Sequence, residues 1–144
     1  FVLDLTKAYP MAAKKYGLLV RKFELNRPRQ DVIIADVLAA KRKIAFESVF
    51  TTNGEVTKAA DSKSFEATRE EHRKNAKIKV EIGVKAADSR GKLKADAVKW
   101  ELVEQKIENP GHPDCTRLSV VFAEPVRNAV VGWRIRPDAV AEEP

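Results

Sequence analysis

The sequence predicts an all-β protein, an antiparallel β-sandwich of roughly nine strands. Short apolar runs rich in Val, Ile, Leu and Phe recur between Gly, Pro, Asn and Asp turn signals. In several runs apolar and charged residues alternate, the mark of a sheet with one wet face and hence of antiparallel pairing. The stretch Tyr16–Leu38 adds a third indication, because it holds two apolar runs around a polar turn, the pattern of a hairpin.

Taken in order, Phe1–Leu5 is a short strand that pairs into the sheet. Thr6–Lys15 is a connection, since Pro10 disfavours helix at Tyr9. Gly17–Leu25 and Val32–Leu38 form the hairpin, with both strands largely buried. Asn26–Gln30 joins them, and Pro28 belongs there because it fixes its own φ and donates no ladder hydrogen bond. Ala39–Lys43 reads as a polar link. Ile44–Thr52 returns to β character, and Val49 breaks its alternation, which predicts a bulge near Glu47–Val49. Asn53-Gly54 then makes a two-residue turn, both residues tolerating positive φ. Within Ala59–Lys77, a strand over Ser64–Glu70 is preferred to a helix. Glu66, Arg69, Glu70 and Arg73 have helical charge spacing, but Phe65, Ala67 and Ala76 are too few for an apolar stripe.

Lys77–Lys85 is the clearest strand: Ile78, Val80, Ile82 and Val84 share one face, opposite Lys77, Lys79, Glu81 and Lys85. Each of the four apolar side chains stabilises by roughly 1.5–3 kcal/mol when buried, before entropy. A slip of one residue would bury charge, so the register is well specified. Asp88–Lys92 is a turn, Ala95–Ile107 one long strand, and Asn109–Asp114 a Pro/Gly loop. Thr116–Ala123 points Leu118, Val120 and Phe122 inward; Ala129–Arg136 closes the sheet with Val131, Trp133 and Ile135 inward. Residues 1–137 are assigned to one β-sandwich domain and 138–144 to a flexible tail.

With 144 residues, 44% hydrophobic and 33% charged, the chain can enclose a sizeable core under a charged surface. Its net charge of +6 favours anionic partners. The cations are mixed with acids, as in Arg69–Lys74, which is the pattern of a solvated face. Trp100, Phe122 and Trp133 fall on apolar strand faces, and Tyr9, Tyr16 and Phe50 form no stacking run, so nucleic acid is disfavoured. No apolar window is long enough to span a membrane. The single Cys115 excludes an intrachain disulfide and has no cation beside it to lower its thiol pKa. His112, Asp114 and Cys115 lie close together but lack a tetrahedral-site spacing, and no metal or cofactor is expected in this chain. No G-x-S-x-G elbow and no glycine-rich phosphate loop is present, so no catalytic residue is assigned. The opening Phe1–Leu5 carries neither Met nor a leader and reads as the start of an excised domain or processed chain.

The first third carries a more specific pattern. VLDLTKAYP is followed by Val20-Arg21-Lys22-Phe23, then Val32-Ile33-Ile34-Ala35-Asp36, then Phe46-Glu47-Ser48-Val49-Phe50-Thr51-Thr52. This order resembles the β-domain of heparinase II/III-like polysaccharide lyases; the likeness is motif-like over Val2–Thr52 and otherwise one of outline. The resemblance implies an antiparallel β-sandwich, an upstream α-helical toroid in the parent chain, and β-elimination of an acidic, uronate-containing polysaccharide. It implies a periplasmic or secreted location and leaves room for a divalent metal elsewhere in the parent. A Tyr or His base removes the proton beside the uronate carboxylate in such enzymes, while nearby groups neutralise that carboxylate. None of those catalytic residues maps onto this chain, and Tyr9 does not correspond to the catalytic tyrosine. The fragment is therefore expected to brace the cleft and steer substrate. Arg27, Arg29, Lys41, Arg42 and Lys43 are the candidates for steering a polyanion, since they lie in the two most cationic connections. Solubility and edge protection are the competing roles for the same side chains. The alternative to a lyase domain is a stand-alone carbohydrate- or anion-binding β-module.

Overall fold

The computed structural model describes residues 1–6, 17–71 and 74–138, and within them the chain is all-β with every strand pair antiparallel. Eleven strands are formed: β1 (Val2–Asp4), β2 (Gly17–Asn26), β3 (Asp31–Ile44), β4 (Glu47–Thr52), β5 (Glu55–Lys58), β6 (Ser64–Glu71), β7 (Lys74–Ala87), β8 (Leu93–Ala95), β9 (Trp100–Ile107), β10 (Cys115–Phe122) and β11 (Val126–Pro137). One sheet runs β1-β2-β3-β11-β7-β6-β5, with β8 pairing the C-terminal end of β7; the other is β4-β10-β9. The connection Thr6–Lys15 beyond Thr6, the side chains of Tyr9, Tyr16 and His72, and nearly all of the 138–144 tail lie outside the described residues.

Alternation places the core. β11 is the middle strand of the large sheet, and its Ala129, Val131 and Trp133 are fully buried between Leu38, Asp36 and Ile34 of β3 and Ala86, Val84 and Ile82 of β7. Val80, Ile82 and Val84 of β7 face the same interior, as their period of two requires. β10 answers from the small sheet with Leu118, Val120 and Phe122. Phe50 of β4 stacks on Trp133 at 5.5 Å between ring centroids and meets Phe65 of β6 edge-on at 5.6 Å, so the two sheets interlock through aromatic rings. Phe50 is thus a core-packing residue.

Several boundaries differ from the sequence reading. The β2–β3 turn is Arg27–Gln30, one residue shorter than expected, with Gln30 at a φ of 53° closing it. The two strands are less buried than predicted: Leu18 and Leu25 of β2 are exposed and only Val20 is buried along it. Ala39–Lys43 is not a link but the end of a 14-residue strand. The predicted bulge near Glu47–Val49 is absent. β4 pairs with β10 without interruption from Glu47 to Thr52, and Val49 simply occupies the outer face of its sheet opposite Ser119. The irregularity sits in the β3–β11 ladder, where Val126 faces Ile44 and Asn128 already faces Ala39. Asn53-Gly54 does turn the chain, but it carries it from the small sheet to the large one and joins no hairpin. Ala95–Ile107 is broken into β8 and β9 by a turn in which Asp96 adopts a φ of 56°. Ser64–Glu71 is strand, not helix.

Candidate functional site

Three of the four motif segments of the N-terminal third, Val20–Phe23, Val32–Asp36 and Phe46–Thr52, meet inside the sandwich. The β2–β3 register sets Arg21 opposite Asp36, and the Arg21 guanidinium donates from Nε and Nη2 to the two carboxylate oxygens at 2.6 and 2.8 Å. Nη2 also reaches the Val49 carbonyl of β4 at 3.3 Å. Asp36 is 3% exposed and accepts a third bond from the Ser48 hydroxyl, which in turn accepts the Trp133 indole N–H at 2.8 Å. The network therefore runs β2–β3–β4–β11 and ties one sheet to the other with every polar atom of Ser48 and Asp36 paired. Its first consequence is electrostatic: the hydrogen bond that Arg21 donates to Asp36 raises the Arg21 pKa against the opposing effect of burial. Asp36 and Ser48 are fully paired and closed to solvent, while the Arg21 side chain is partly exposed, and the bonds of all three are spent within the network.

A second set of ion pairs lies on the outer face of the large sheet. Arg134 grips buried Asp31 at 2.7 Å, Arg136 pairs with Glu81 at 2.7 Å, and Lys77 bridges Glu66 and Asp138 at 3.0 and 3.3 Å. Most of these groups are partly exposed, so each pair contributes modestly.

The cationic residues singled out from sequence do not form one site. Arg27 and Arg29 are exposed in the β2–β3 turn, while Lys41, Arg42 and Lys43 are exposed at the far end of β3, roughly 30 Å away along the strand. The second group borders an open cleft of about 670 Å3 at the end of the sandwich. A two-residue step on β11 against a five-residue step on β3 pushes residues 40–43 out of the ladder, and the Arg127 Nε donates to the Ala40 carbonyl at 3.2 Å, holding the bulge in place. Lys41 and Lys43 line the cleft with Arg127, whereas Arg42 does not. Gly17, at a φ of 93°, forms part of the wall because any Cβ there would sit 2.4 Å from the Ala39 carbonyl oxygen. Arg127 escaped sequence reasoning: an isolated cation in an apolar strand, far from Lys41 in the chain, carries no local signal.

Asp88 and Glu124 are the acids of the cleft. The backbone N–H of Lys92 is the main cause that holds the Asp88 carboxyl below the ordinary aspartate range, helped by the Arg90 N–H and by Lys94 at 3.2 Å. A depressed folded pKa stabilises above the unfolded value of about 3.9 and loses that contribution as pH falls through the lower folded value. Amide-exchange protection factors in the Asp88–Lys92 turn and β8 should therefore fall as the pH is lowered below about 4. In Asp88→Asn that acid step should be absent; an unchanged step would assign it to another group.

Elsewhere, Cys115 is half-buried with only a weak sulfur contact to the Pro113 carbonyl at 3.9 Å, and His112 is exposed in the loop before β10. Among the described residues no cluster of His, Cys, Asp and Glu has the geometry of a metal site. Trp100 is half-exposed and donates its indole N–H to Asp96 at 3.0 Å, which holds the Asp96 carboxyl low together with Lys63. Trp133 and Phe122 are core residues, as the alternation requires. No profile of a known protein family matches the chain, and no curated protein matches it.

Proposed function

We propose that this chain is the β-sandwich domain of a heparinase II/III-like lyase that cleaves an acidic, uronate-containing polysaccharide by β-elimination. In this reading the domain braces and steers, while the base and the carboxylate-neutralising groups belong to the parent's other parts, including an upstream helical toroid. The observation that carries the reading is the convergence of Arg21, Asp36 and Ser48. Three of the four segments that bear the family likeness, Val20–Phe23, Val32–Asp36 and Phe46–Thr52, are joined by one network. A motif whose polar residues pair with one another across two sheets has a structural reason to exist without any catalytic duty. A periplasmic or secreted setting follows from the substrate class, since such polymers lie outside the cytoplasm.

The test is to incubate the native gene product with a panel of uronate polymers and follow the ultraviolet absorbance of the unsaturated uronate that β-elimination creates. Absorbance should rise with the native product and stay flat with residues 1–144 alone. A native product without a helical region and without activity on any polymer of the panel would overturn the reading. The cationic cleft beside Lys41 and Lys43 is the one feature that favours a stand-alone anion-binding module, and that result would make it the leading account.

A further inference from the structure

We infer that the cleft at the β3 bulge is a binding site for a single uronate unit of an acidic polysaccharide, an inference that rests on the substrate class proposed above. Its volume of about 670 Å3 lies within the range of small-ligand sites, about 300–1,000 Å3, and suits one or two sugar rings. The bulge gives the site its charge. In a regular β3 ladder residues 41–43 would continue the sheet edge; looped out, they bring both Lys41 and Lys43 to the cleft that Arg127 borders from β11. Arg127 is pre-positioned, because its Nε is already fixed on the Ala40 carbonyl and the planar guanidinium cannot swing freely. Three cations at one cleft suit a carboxylate.

The remaining polar groups decide between kinds of anion. Glu124 and Asp88 also line the cleft, and Asn128 stands beside Arg127. Three cations against two carboxylates leave the lining only weakly positive, which suits a singly charged ring better than a densely sulfated chain. A uronate ring offers one carboxylate for the cations and several hydroxyl donors for Glu124 and the Asn128 carbonyl, so the mixed lining fits it group by group. Asp88 is largely occupied by its own turn and by Lys94, which leaves Glu124 as the principal acceptor.

The experiment is an NMR titration of the 144-residue chain with a uronate tetrasaccharide, a neutral tetrasaccharide of the same length, and inorganic sulfate. Amide shifts should move over residues 39–43 and 126–128 with the uronate alone. Lys43→Gln, at an exposed position, should weaken binding by roughly tenfold, the effect of losing one charge-assisted hydrogen bond. Arg127→Lys, which keeps the charge but not the fork, should weaken it without abolishing it. Equal shifts with the neutral sugar, saturation by sulfate at the same residues, unaltered affinity in Lys43→Gln, or no shifts with the uronate would each overturn the site. The two readings fail separately. A native product that depolymerises uronate polymers while Lys43→Gln binds them like the wild type removes only the cleft. Binding sensitive to Lys43→Gln in a protein that cleaves nothing removes only the lyase.

Discussion

Trp133→Ala is expected to lower the unfolding free energy by about 3–5 kcal/mol, the range for emptying a buried aromatic site. The tryptophan is fully buried at the centre of the large sheet, stacks on Phe50 of the opposing sheet, and meets Phe65 edge-on at 6.4 Å between ring centroids. Strands on both sides of β11 fix its backbone through Ile34 and Ile82, so the site cannot collapse to fill the void. Against a typical domain stability of about 5–15 kcal/mol, such a loss is a large fraction of the total. Trp133→Phe separates the two roles of the side chain. It keeps a stacking ring and removes the indole N–H that Ser48 accepts at 2.8 Å, so it should cost distinctly less than the alanine variant. Urea midpoints at unchanged slope measure both differences. Equal losses for the two variants would show that the hydrogen bond, and not the ring packing, carries the site.

Asp36→Ala should be the second most costly change, at about 2–4 kcal/mol. Removing one partner of a fully buried ion pair commonly costs about 3–5 kcal/mol, but the Arg21 side chain is 30% exposed and can recover part of its hydration, which lowers the expected loss. The Ser48 hydroxyl meanwhile loses its acceptor at a position only 1% exposed. Replacing the pair together, as Arg21→Met with Asp36→Leu, should recover a substantial part of the loss, because neither charge is then left unpaired. A double variant as unstable as Asp36→Leu plus Arg21→Met in sum would show no coupling between the two residues and would break the network argument.

Much of this fold is legible from residue order alone. The alternation in Lys77–Lys85 fixes β7 and its inward Val80, Ile82 and Val84, because charges on the other face forbid any slip of register. The hairpin is legible too, yet a turn read one residue too long moves every pair. With Asn26–Gln30 as the loop, Arg21 would sit opposite Ala35; with Arg27–Gln30 it sits opposite Asp36. The ionic contact at the heart of the motif thus hinged on the left-handed conformation of Gln30, which its residue type does not announce. Lys41–Lys43 shows the converse. Three successive cations read as a link, whereas residues 41–43 continue β3 and leave only its ladder with β11. What sequence could not supply was the partner strand, and hence Arg127, which joins the cleft only through long-range topology. The five cations grouped by composition fall at opposite ends of one strand, because charge density along the chain carries no information about which end of a hairpin a loop will occupy.

The central claim is that the motif residues of the N-terminal third brace the sandwich and do no chemistry. It is tested most directly by one variant, Asp36→Asn in the native gene product, measured for uronate-polymer cleavage per folded molecule. The account predicts a lowered unfolding midpoint with turnover per folded molecule unchanged. A variant that folds as stably as the wild type but no longer cleaves would place Asp36 in the catalytic machinery and contradict the account.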